Sequence, residues 1–253
     1  MAGTDTTLPI ELPPSPAIVL VEPQLGENIG MAARAMANFG LWDLRLVRPP
    51  LGGPNERAVA TASHAVQVIE RARLFEALET ATADLNLVLA TSARPRDMFK
   101  QVIGADQAAK RVKAHIGAGG QAGILFGRER SGLENEEIAM ADAIVTLPVE
   151  PAFGSLNVAQ AVVILAYEWR RAATGDELPF SGETGTPASR EELSGLVGHL
   201  EGALDRAGFF PTEDMRPLMA LNLKTMLTRA GFNAQEVRTL RGVISALDRK
   251  RGG

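Results

Sequence analysis

Polar side chains suited to holding a hydroxyl or phosphate group follow predicted strand ends in two stretches of the chain. The first is Val19–Gly40, VLVEPQLGENIGMAARAMANFG, and the second is Ile124–Tyr167, ILFGRERSGLENEEIAMADAIVTLPVEPAFGSLNVAQAVVILAY. Each runs from a strand through a turn marked by glycine and asparagine into a helix, and such strand ends gather around ligands in open α/β sheets. The candidate site residues within them are Asn28, Arg34, Glu129, Ser155 and Asn157.

An anion or a phosphate-bearing substrate suits the first stretch, because free backbone N–H groups at a helix start face the carboxyl edge of the sheet. Asn28 and Gly30 open the predicted helix, and Arg34 follows in the same helix. An ordinary N-cap would equally explain Asn28, and a solvated helix charge would explain Arg34. In the second stretch, backbone groups of the loop Pro148–Gly154 could hydrogen-bond an adenine or a carboxylate, and helix capping alone does not explain that loop.

Residue types and spacing disfavour several other kinds of site. The GAGGQA segment, Gly117–Ala122, precedes a predicted strand instead of following one, so it is not a dinucleotide-binding turn. The GRERSG loop, Gly127–Gly132, lacks the Lys and Ser or Thr of a triphosphate-binding loop. Ser155 has no identifiable histidine base, which disfavours a hydrolase triad. The 3 histidines are far apart in sequence, so no metal site is predicted.

The chain has no cysteine, which excludes disulfides, thiolate metal sites and cysteine nucleophiles. The net charge of -4 argues against a protein that coats nucleic acid by bulk charge. From Pro211 onward, however, basic residues outnumber acidic ones by eight to four. This tail could guide an RNA, or it could equally form a solvated helical surface or support a dimer.

No segment predicts secretion or membrane insertion. The start, MAGTDTTLPIELPPSP, lacks a basic region and an apolar signal region, and no uncharged apolar run is long enough to span a bilayer. We therefore expect a cytoplasmic protein with no membrane partner. Its 253 residues, 45% of them hydrophobic, suffice for one large α/β core and a smaller appendage.

Short apolar segments alternate with helical segments along the first part of the chain, which is typical of an open, mostly parallel sheet. The predicted strands are Ala17–Val21, Asp43–Val47, Asn86–Thr91, Gly123–Phe126 and Ala143–Leu147. The predicted helices between them are Asn28–Phe39, Glu56–Ala62, Phe75–Ala83 and Gln107–Ile116. The segment Asn157–Thr174 is apolar almost all round, so it is either a core helix or part of an oligomer interface.

A segment rich in glycine, proline and polar residues separates this sheet from a helical tail. Ser189 with Glu192, and Asn233 with Glu236, have the spacing of capping boxes. The tail helices are predicted at Ser189–Ala207, Arg216–Ala230 and Ala234–Arg251. The predicted organisation is a flexible arm at 1–16, a sheet domain at 17–174, a linker at 175–187 and a small all-α domain at 188–253.

Three segments resemble, in their order and in their residues, the motifs of the SPOUT class of RNA 2′-O-ribose methyltransferases, most closely those of the TrmJ subfamily. The segments are ENIGMAARAMANFG, ILFGRERSGLENEEI and LPVEPAFGSLNVAQAV. The resemblance covers Ala17 to about Ala172, and the tail from Gly208 resembles that subfamily's helical extension. It implies a deep trefoil knot in the C-terminal part of the sheet domain, an exception to the rule against threaded chains. It also implies S-adenosylmethionine as cofactor and a homodimer whose active sites form at the subunit boundary.

The resemblance implies roles residue by residue. Asn28, Arg34, Glu129, Ser155 and Asn157 match catalytic positions, and Arg94, Arg96 and Arg128 match positions suited to RNA phosphate contact. The implied cofactor-binding residues are Thr91, Ser92, Ala93, Gly127, Leu147, Gly154, Ser155, Leu156 and Asn157. No metal is implied.

The implied activity is 2′-O-methylation of the tRNA anticodon loop, at the cytidine or uridine of position 32. Alternatives are methylation of rRNA or of another tRNA ribose, and a non-catalytic RNA-binding or assembly protein with the same fold. A guanidinium has a pKa above about 12 and cannot readily accept a proton. We therefore expect Arg34 to position the hydroxyl and stabilise charge rather than act as base.

Overall fold

The structure is a computed structural model that describes residues 13–96, 98–175 and 185–251. These residues form two compact units, 13–175 and 185–251. Most of the predicted arm at 1–16 and most of the predicted linker at 175–187 lie outside the described residues.

The first unit is built on a seven-stranded sheet in which every pairing is parallel. Its strands are β1 (Ala17–Val21), β2 (Leu44–Val47), β3 (Arg73–Phe75), β4 (Leu87–Thr91), β5 (Gln101–Ile103), β6 (Ala122–Phe126) and β7 (Ala143–Val145). They lie side by side in the order β3-β2-β1-β6-β4-β7-β5. Because all strands run the same way, the loops that follow β1, β4, β6 and β7 meet at one edge of the sheet.

Helices connect the strands and cover the sheet. They are α1 (Gly26–Asn38), α2 (Glu56–Ala62), α3 (Val66–Glu70), α4 (Leu78–Thr82), α5 (Ala105–Gly117), α6 (Asn135–Ala139) and α7 (Val158–Thr174). No helix among the described residues is long and apolar enough to cross a bilayer. The predicted α/β class with a mostly parallel sheet is confirmed, whereas the trefoil knot stays a prediction.

The central strand β1 shows why these apolar runs fold as buried strands. Its side chains alternate between the two faces of the sheet. Ile18 and Leu20 join the core beneath α1, α5 and α7, whereas Val19 and Val21 join the core beneath α4 and α6. A strand that is buried on both faces has no polar alternation, which is why a continuous apolar run predicted it correctly.

The two edge strands, β3 and β5, are absent from the sequence-based prediction. Each has three residues and is largely exposed, so neither shows the continuous apolar run from which the other strands were predicted. Strand β3 also shows that the predicted helix Phe75–Ala83 begins too early. Phe75 pairs with Val47 of β2, and the helix α4 starts only at Leu78. The short helices α3 and α6 were likewise not predicted.

Helix α1 begins at Gly26, with Leu25 as its N-cap, and not at Asn28 as predicted. Asn28 is therefore already inside the first turn, and the interpretation of its side chain as an ordinary N-cap is wrong. The side chain is 2% exposed and is hydrogen-bonded to residues of two other loops.

Helix α7 is a core helix, which is one of the two interpretations that its apolar sequence allowed. Val162, Leu165 and Ala166 are buried against the sheet, and the helix packs on α1 and α5. On its other side Val163 is 42% exposed and Tyr167 is 48% exposed. The second interpretation, an oligomer interface, stays a prediction for this exposed side.

The second unit consists of α8 (Arg190–Ala207), α9 (Arg216–Arg229) and α10 (Ala234–Arg251). Both predicted capping boxes are confirmed. Ser189 Oγ accepts from the N–H of Glu192 at 3.1 Å, and a Glu192 carboxylate oxygen accepts from the N–H of Ser189 at 2.8 Å. Asn233 and Glu236 make the same pair of bonds at 2.8 Å each. Local capping thus fixes where two of these helices begin.

Replacing Gly30 by alanine should destabilise the sheet unit by about 1–3 kcal/mol, because it overpacks the contact between α1 and α2. A Cβ at Gly30 would lie 2.1 Å from the carbonyl oxygen of Ala58 and 2.1 Å from Oγ1 of Thr61. Thermal or denaturant unfolding measures the effect. The matched control is Gly117→Ala at the end of α5, where a Cβ meets nothing within 4 Å and stability should be nearly unchanged.

Candidate active site

A cavity of about 440 Å³ opens at the carboxyl edge of the sheet. It lies among the loops that follow β4, β6 and β7, and its volume falls in the range of small-molecule sites. Among the residues that line it are Thr91, Ser92, Ala93, Arg94, Arg96, Gly127, Glu129, Leu147, Gly154, Ser155 and Leu156. All the predicted cofactor residues except Asn157 therefore belong to the lining of one cavity.

Hydrogen bonds to the neighbouring strands hold the first wall of the cavity, the end of β4, in place. The hydroxyl of Thr91 donates to the carbonyl of Leu125 at 2.8 Å, and the N–H of Ser92 donates to the carbonyl of Val145 at 3.0 Å. These bonds tie the end of β4 to both neighbouring strands. Ser92 and Ala93 line the cavity and have small side chains, which leave room for a ligand to reach their backbone groups.

The second wall is a tight loop after β6. The N–H of Arg128 donates to the carbonyl of Gly132 at 3.2 Å, and the N–H of Gly132 donates back at 2.9 Å. The loop folds so closely onto Gly127 that a Cβ there would lie 2.1 Å from the carbonyl carbon of Gly132 and 2.2 Å from the nitrogen of Leu133. Only glycine fits this approach of two backbone segments.

Three of the predicted catalytic residues form one chain of hydrogen bonds at the edge of the sheet. The side-chain amide of Asn157 donates to Oδ1 of Asn28 at 2.8 Å, and Nδ2 of Asn28 donates to Glu129 at 2.8 Å. The Glu129 carboxylate also accepts from the N–H of Gln24 at 2.8 Å and of Leu25 at 3.2 Å. Because a carboxylate only accepts, it fixes the amide orientation of Asn28, and Asn28 then fixes that of Asn157.

Asn157 occupies the start of α7, where its Oδ1 accepts from the N–H of Ala159 at 2.8 Å. Its N-cap role and its contact with Asn28 join α7 to α1. Asn157 itself is not among the described residues that line the cavity, whereas Ser155, two residues earlier, is exposed and lines it. The segment Gly154–Asn157 thus contributes both to the cavity lining and to the hydrogen-bond chain.

Arg34 lies apart from these residues. Its side chain is exposed on α1, and it is not among the described residues that line the cavity. Within a single chain, the structure therefore brings together Asn28, Glu129 and Asn157, places Ser155 at the cavity and leaves Arg34 outside it.

The predicted phosphate-binding arginines have internal partners. Arg94 donates to the carbonyl of Ser131, and Arg96 donates to the carbonyl of Leu133 at 2.7 Å and to Oδ1 of Asn135 at 2.8 Å. Both therefore brace the β4 loop against the β6 loop across the cavity. Their side chains still line the cavity, so phosphate contact stays a prediction for them.

Arg128 is enclosed more completely. Its side chain is 9% exposed, and its guanidinium donates to Glu22 at 2.6 Å and to both carboxylate oxygens of Glu137 at 3.0 Å. The hydrogen bonds that Arg128 donates to Glu22 and, second in effect, to Glu137 raise the pKa of Arg128 above its usual value. These ion pairs favour a structural role, yet Arg128 also lines the cavity, so phosphate contact stays a prediction for it as well. Neither Glu22 nor Glu137 was predicted from the sequence, because isolated charges after a strand or on a short helix resemble surface residues.

No group of three or more His, Asp and Glu side chains that could hold a metal ion occurs in the part of the chain that the structure describes.

A ligand-sized cavity at the carboxyl edge of a parallel sheet, walled by glycine-rich loops, defines an α/β protein of the ligand-binding, open-sheet type.

Comparison with known proteins identifies the family within that class. The family model described as SpoU rRNA Methylase family matches residues 15–167, and the model described as tRNA methyltransferase TrmJ, C-terminal domain, matches residues 191–253. The chain belongs to the SpoU methylase family, among its TrmJ members, which confirms the resemblance found in the sequence motifs.

Relatives match along nearly the whole chain. The tRNA (cytidine/uridine/adenosine-2′-O-)-methyltransferase TrmJ of Pseudomonas aeruginosa is 37% identical over 90% of this chain and 91% of its own. The tRNA (cytidine/uridine-2′-O-)-methyltransferase TrmJ of Citrobacter koseri is 35% identical over 93% of this chain and 97% of its own. The crystal structure of TrmJ from Z. mobilis ZM4 superposes with a TM-score of 0.81 at 48% identity, covering 92% of this chain and 99% of that one.

Proposed function

We propose that this protein is a tRNA 2′-O-methyltransferase that uses S-adenosylmethionine and modifies a cytidine or uridine ribose in the anticodon loop, at position 32. The observation that carries the proposal is the hydrogen-bond chain Asn157–Asn28–Glu129 beside a ligand-sized cavity. The names of the full-length TrmJ relatives support tRNA as substrate and the 2′ oxygen as the methylated atom.

The cavity fits S-adenosylmethionine by size and by chemistry. Its volume of about 440 Å³ suits a nucleoside-sized ligand. Backbone groups of the loop at Thr91–Ala93 and of the loop Gly154–Leu156 can hydrogen-bond an adenine, while Leu133, Val145 and Leu147 offer apolar contact. When bound, this cofactor would supply an electrophilic methyl group on a sulfonium sulfur.

The chain's own residues would hold the substrate and stabilise charge. A ribose 2′ hydroxyl must release its proton as its oxygen takes the methyl group, and solvent can accept that proton. A buried amide such as that of Asn28 can only orient groups during this step. Glu129 is held by three N–H donors, so it fixes Asn28 and Asn157. Ser155 offers a hydroxyl at the cavity surface, and Arg34 offers a guanidinium that positions the oxygen and stabilises developing negative charge.

A homodimer is part of this proposal. In the single chain Arg34 lies outside the cavity, so it can serve the reaction if it faces a cavity of a second copy. The exposed side of α7 carries Val163 and Tyr167, and Phe39, the C-cap of α1, packs edge-on against Tyr167 with ring centroids 5.9 Å apart. An apolar surface shared by α1 and α7 supports a dimer contact near Arg34.

Incubating the protein with methyl-labelled S-adenosylmethionine and unmodified tRNA, with rRNA in a parallel reaction, tests the substrate and the reaction. Nucleoside mass spectrometry then locates the label. We expect 2′-O-methylcytidine and 2′-O-methyluridine from tRNA only. Methylation of rRNA alone would assign the alternative substrate, and label on a base would contradict the reaction type.

Substrate tRNAs with C, U, A or G at position 32 extend this test to base preference. The P. aeruginosa relative is named for adenosine as well as cytidine and uridine, whereas the C. koseri relative is named for only the two pyrimidines. We expect methylation at both pyrimidines. Failure to bind S-adenosylmethionine in calorimetry, together with tight tRNA binding, would instead identify a non-catalytic RNA-binding protein.

A further inference from the structure

Two charged residues follow adjacent strands with a backbone conformation that side chains rarely adopt. Glu22 comes directly after β1 with φ 44°, and Arg48 comes directly after β2 with φ 46°. The N–H of Glu22 donates to the carbonyl of Val47 at 2.8 Å, and the N–H of Arg48 donates to the carbonyl of Phe75 at 2.9 Å. A non-glycine residue keeps such a conformation only where its surroundings hold it, and such residues cluster at functional sites.

The side chains of these two residues begin a series of ion pairs, which we name the edge charge chain: Arg48, Glu22, Arg128 and Glu137. One oxygen of Glu22 accepts from Arg48 at 2.6 Å, and the other accepts from Arg128 at 2.6 Å. Arg128 then donates two bonds of 3.0 Å to Glu137. The hydrogen bond from Arg128, assisted by Arg48, lowers the pKa of the Glu22 carboxyl below its usual value. The bridging carboxylate is therefore ionised at neutral pH.

The edge charge chain and the catalytic hydrogen-bond chain hold the same turn. Arg128 reaches Glu22 at the start of the turn between β1 and α1, whereas its sequence neighbour Glu129 reaches the N–H groups of Gln24 and Leu25 farther along it. Two adjacent side chains of one loop thus attach that loop to one turn at two points. Two attachments restrict rotation of the loop, which a single attachment would leave free.

We propose that Glu22 and Arg128 are positioning residues for methyl transfer: their ion pair holds the Glu129 loop against the β1–α1 turn, so that Glu129 keeps Asn28 and Asn157 oriented at the reaction site. The proposal rests on the proposed function and adds to it a role for Glu22, the first residue of the β1–α1 turn. It replaces phosphate contact as the role of Arg128, whose donors are already directed at Glu22 and Glu137.

The variant Glu22→Gln tests this role, because it keeps the shape of the side chain and removes the charge. The matched control is Asp43→Asn, which removes a carboxylate that pairs with Arg45 at 2.8 Å and with Arg73 at 2.7 Å. Asp43 directly precedes β2, so it lies at the amino ends of the parallel strands, whereas Glu22 lies at their carboxyl ends. Steady-state kinetics with a tRNA transcript give kcat and KM. Amide hydrogen exchange of the peptide spanning Gln24 and Leu25, measured without RNA or cofactor, reports directly on the turn.

For Glu22→Gln we expect kcat to fall roughly 10- to 100-fold while KM for tRNA stays within about twofold, because misplaced catalytic groups reduce rate rather than RNA affinity. Exchange at Gln24 and Leu25 should become faster. Asp43→Asn should leave kcat and this exchange unchanged although it lowers the unfolding temperature. If Glu22→Gln does not fold, Arg48→Gln releases one side of the same carboxylate and should shift kcat and exchange in the same direction.

A changed KM for tRNA with unchanged kcat in Glu22→Gln would overturn the proposal in favour of an RNA-binding role for Arg128, because loss of the Glu22 carboxylate frees the guanidinium that it holds. Wild-type values of kcat and exchange would overturn it as well. If the wild-type protein fails to methylate tRNA, the proposed function fails, yet the exchange measurement still decides whether Glu22 orders the turn that Glu129 holds.

Discussion

Replacing Arg34 by alanine should lower kcat for methyl transfer to tRNA by roughly 10²- to 10³-fold, the loss typical when one charge-stabilising donor leaves an active site. The fold should be unaffected, because the Arg34 side chain is exposed on α1 and is not among the described residues that line the cavity of its own chain. Kinetics combined with an unfolding curve separate the two effects. A wild-type kcat in the alanine variant would remove Arg34 from the mechanism.

Arg34→Lys distinguishes positioning from proton transfer. Lysine keeps the positive charge but loses the planar fork that can contact one oxygen through two donors. We expect a lower kcat at every pH, with the apparent pKa of the rate profile unchanged. A profile whose apparent pKa moved toward that of a lysine would instead show that the residue at position 34 exchanges the proton.

The hydrogen-bond chain shows how far sequence could predict the site. The sequence identified Asn28, Glu129 and Asn157 through motif resemblance, and the structure brings all three into contact. It could not show that Glu129 binds the β1–α1 turn, because residues 24 and 129 are adjacent only after β1 and β6 pair. A contact between distant loops depends on sheet order, which periodicity does not encode.

Edge strands and charges show what local pattern leaves out. β3 and β5 exist because a neighbouring strand offers unpaired hydrogen-bonding groups, and their three-residue sequences contain no apolar alternation. Similarly, the surface-like sequence around Glu22 and Glu137 does not show that they enclose Arg128. By contrast, the buried strand β1 and the capped starts of α8 and α10 depend on neighbouring residues in sequence, and these were predicted well.

Replacing Gly127 by alanine should weaken binding of S-adenosylmethionine by roughly 10²-fold or more, since displacement of a site by about 1 Å has effects of this size. A Cβ at this position would lie 2.1 Å from the carbonyl carbon of Gly132 and 2.2 Å from the nitrogen of Leu133, both backbone atoms that cannot rotate away. The loop that forms the cavity wall must therefore move, and Glu129 moves with it. Calorimetric titration with the cofactor measures the loss.

The control for Gly127→Ala is Gly53→Ala, in the same unit but away from the cavity lining. Gly53 has an extended backbone that any residue adopts, and a Cβ there would meet Cδ1 of Leu74 at an ordinary 3.5 Å. Cofactor affinity should be unchanged in this variant. Equal affinity in Gly127→Ala and the control would show that the cavity at the end of β6 does not hold the cofactor.

Mixing the two variants, Arg34→Ala and Gly127→Ala, at a cofactor concentration too low for Gly127→Ala to bind it, tests whether the active site spans two copies of the chain. If Arg34 serves the cavity of its partner, each mixed dimer contains one intact cavity faced by one intact Arg34. Random exchange of subunits should then restore about a quarter of wild-type activity, because about half of the dimers are mixed and each has one complete site. No recovery after verified subunit exchange, or full activity in a wild-type monomer at high dilution, would place Arg34 and the cavity in one subunit, and the exposed side of α7 would then need another partner.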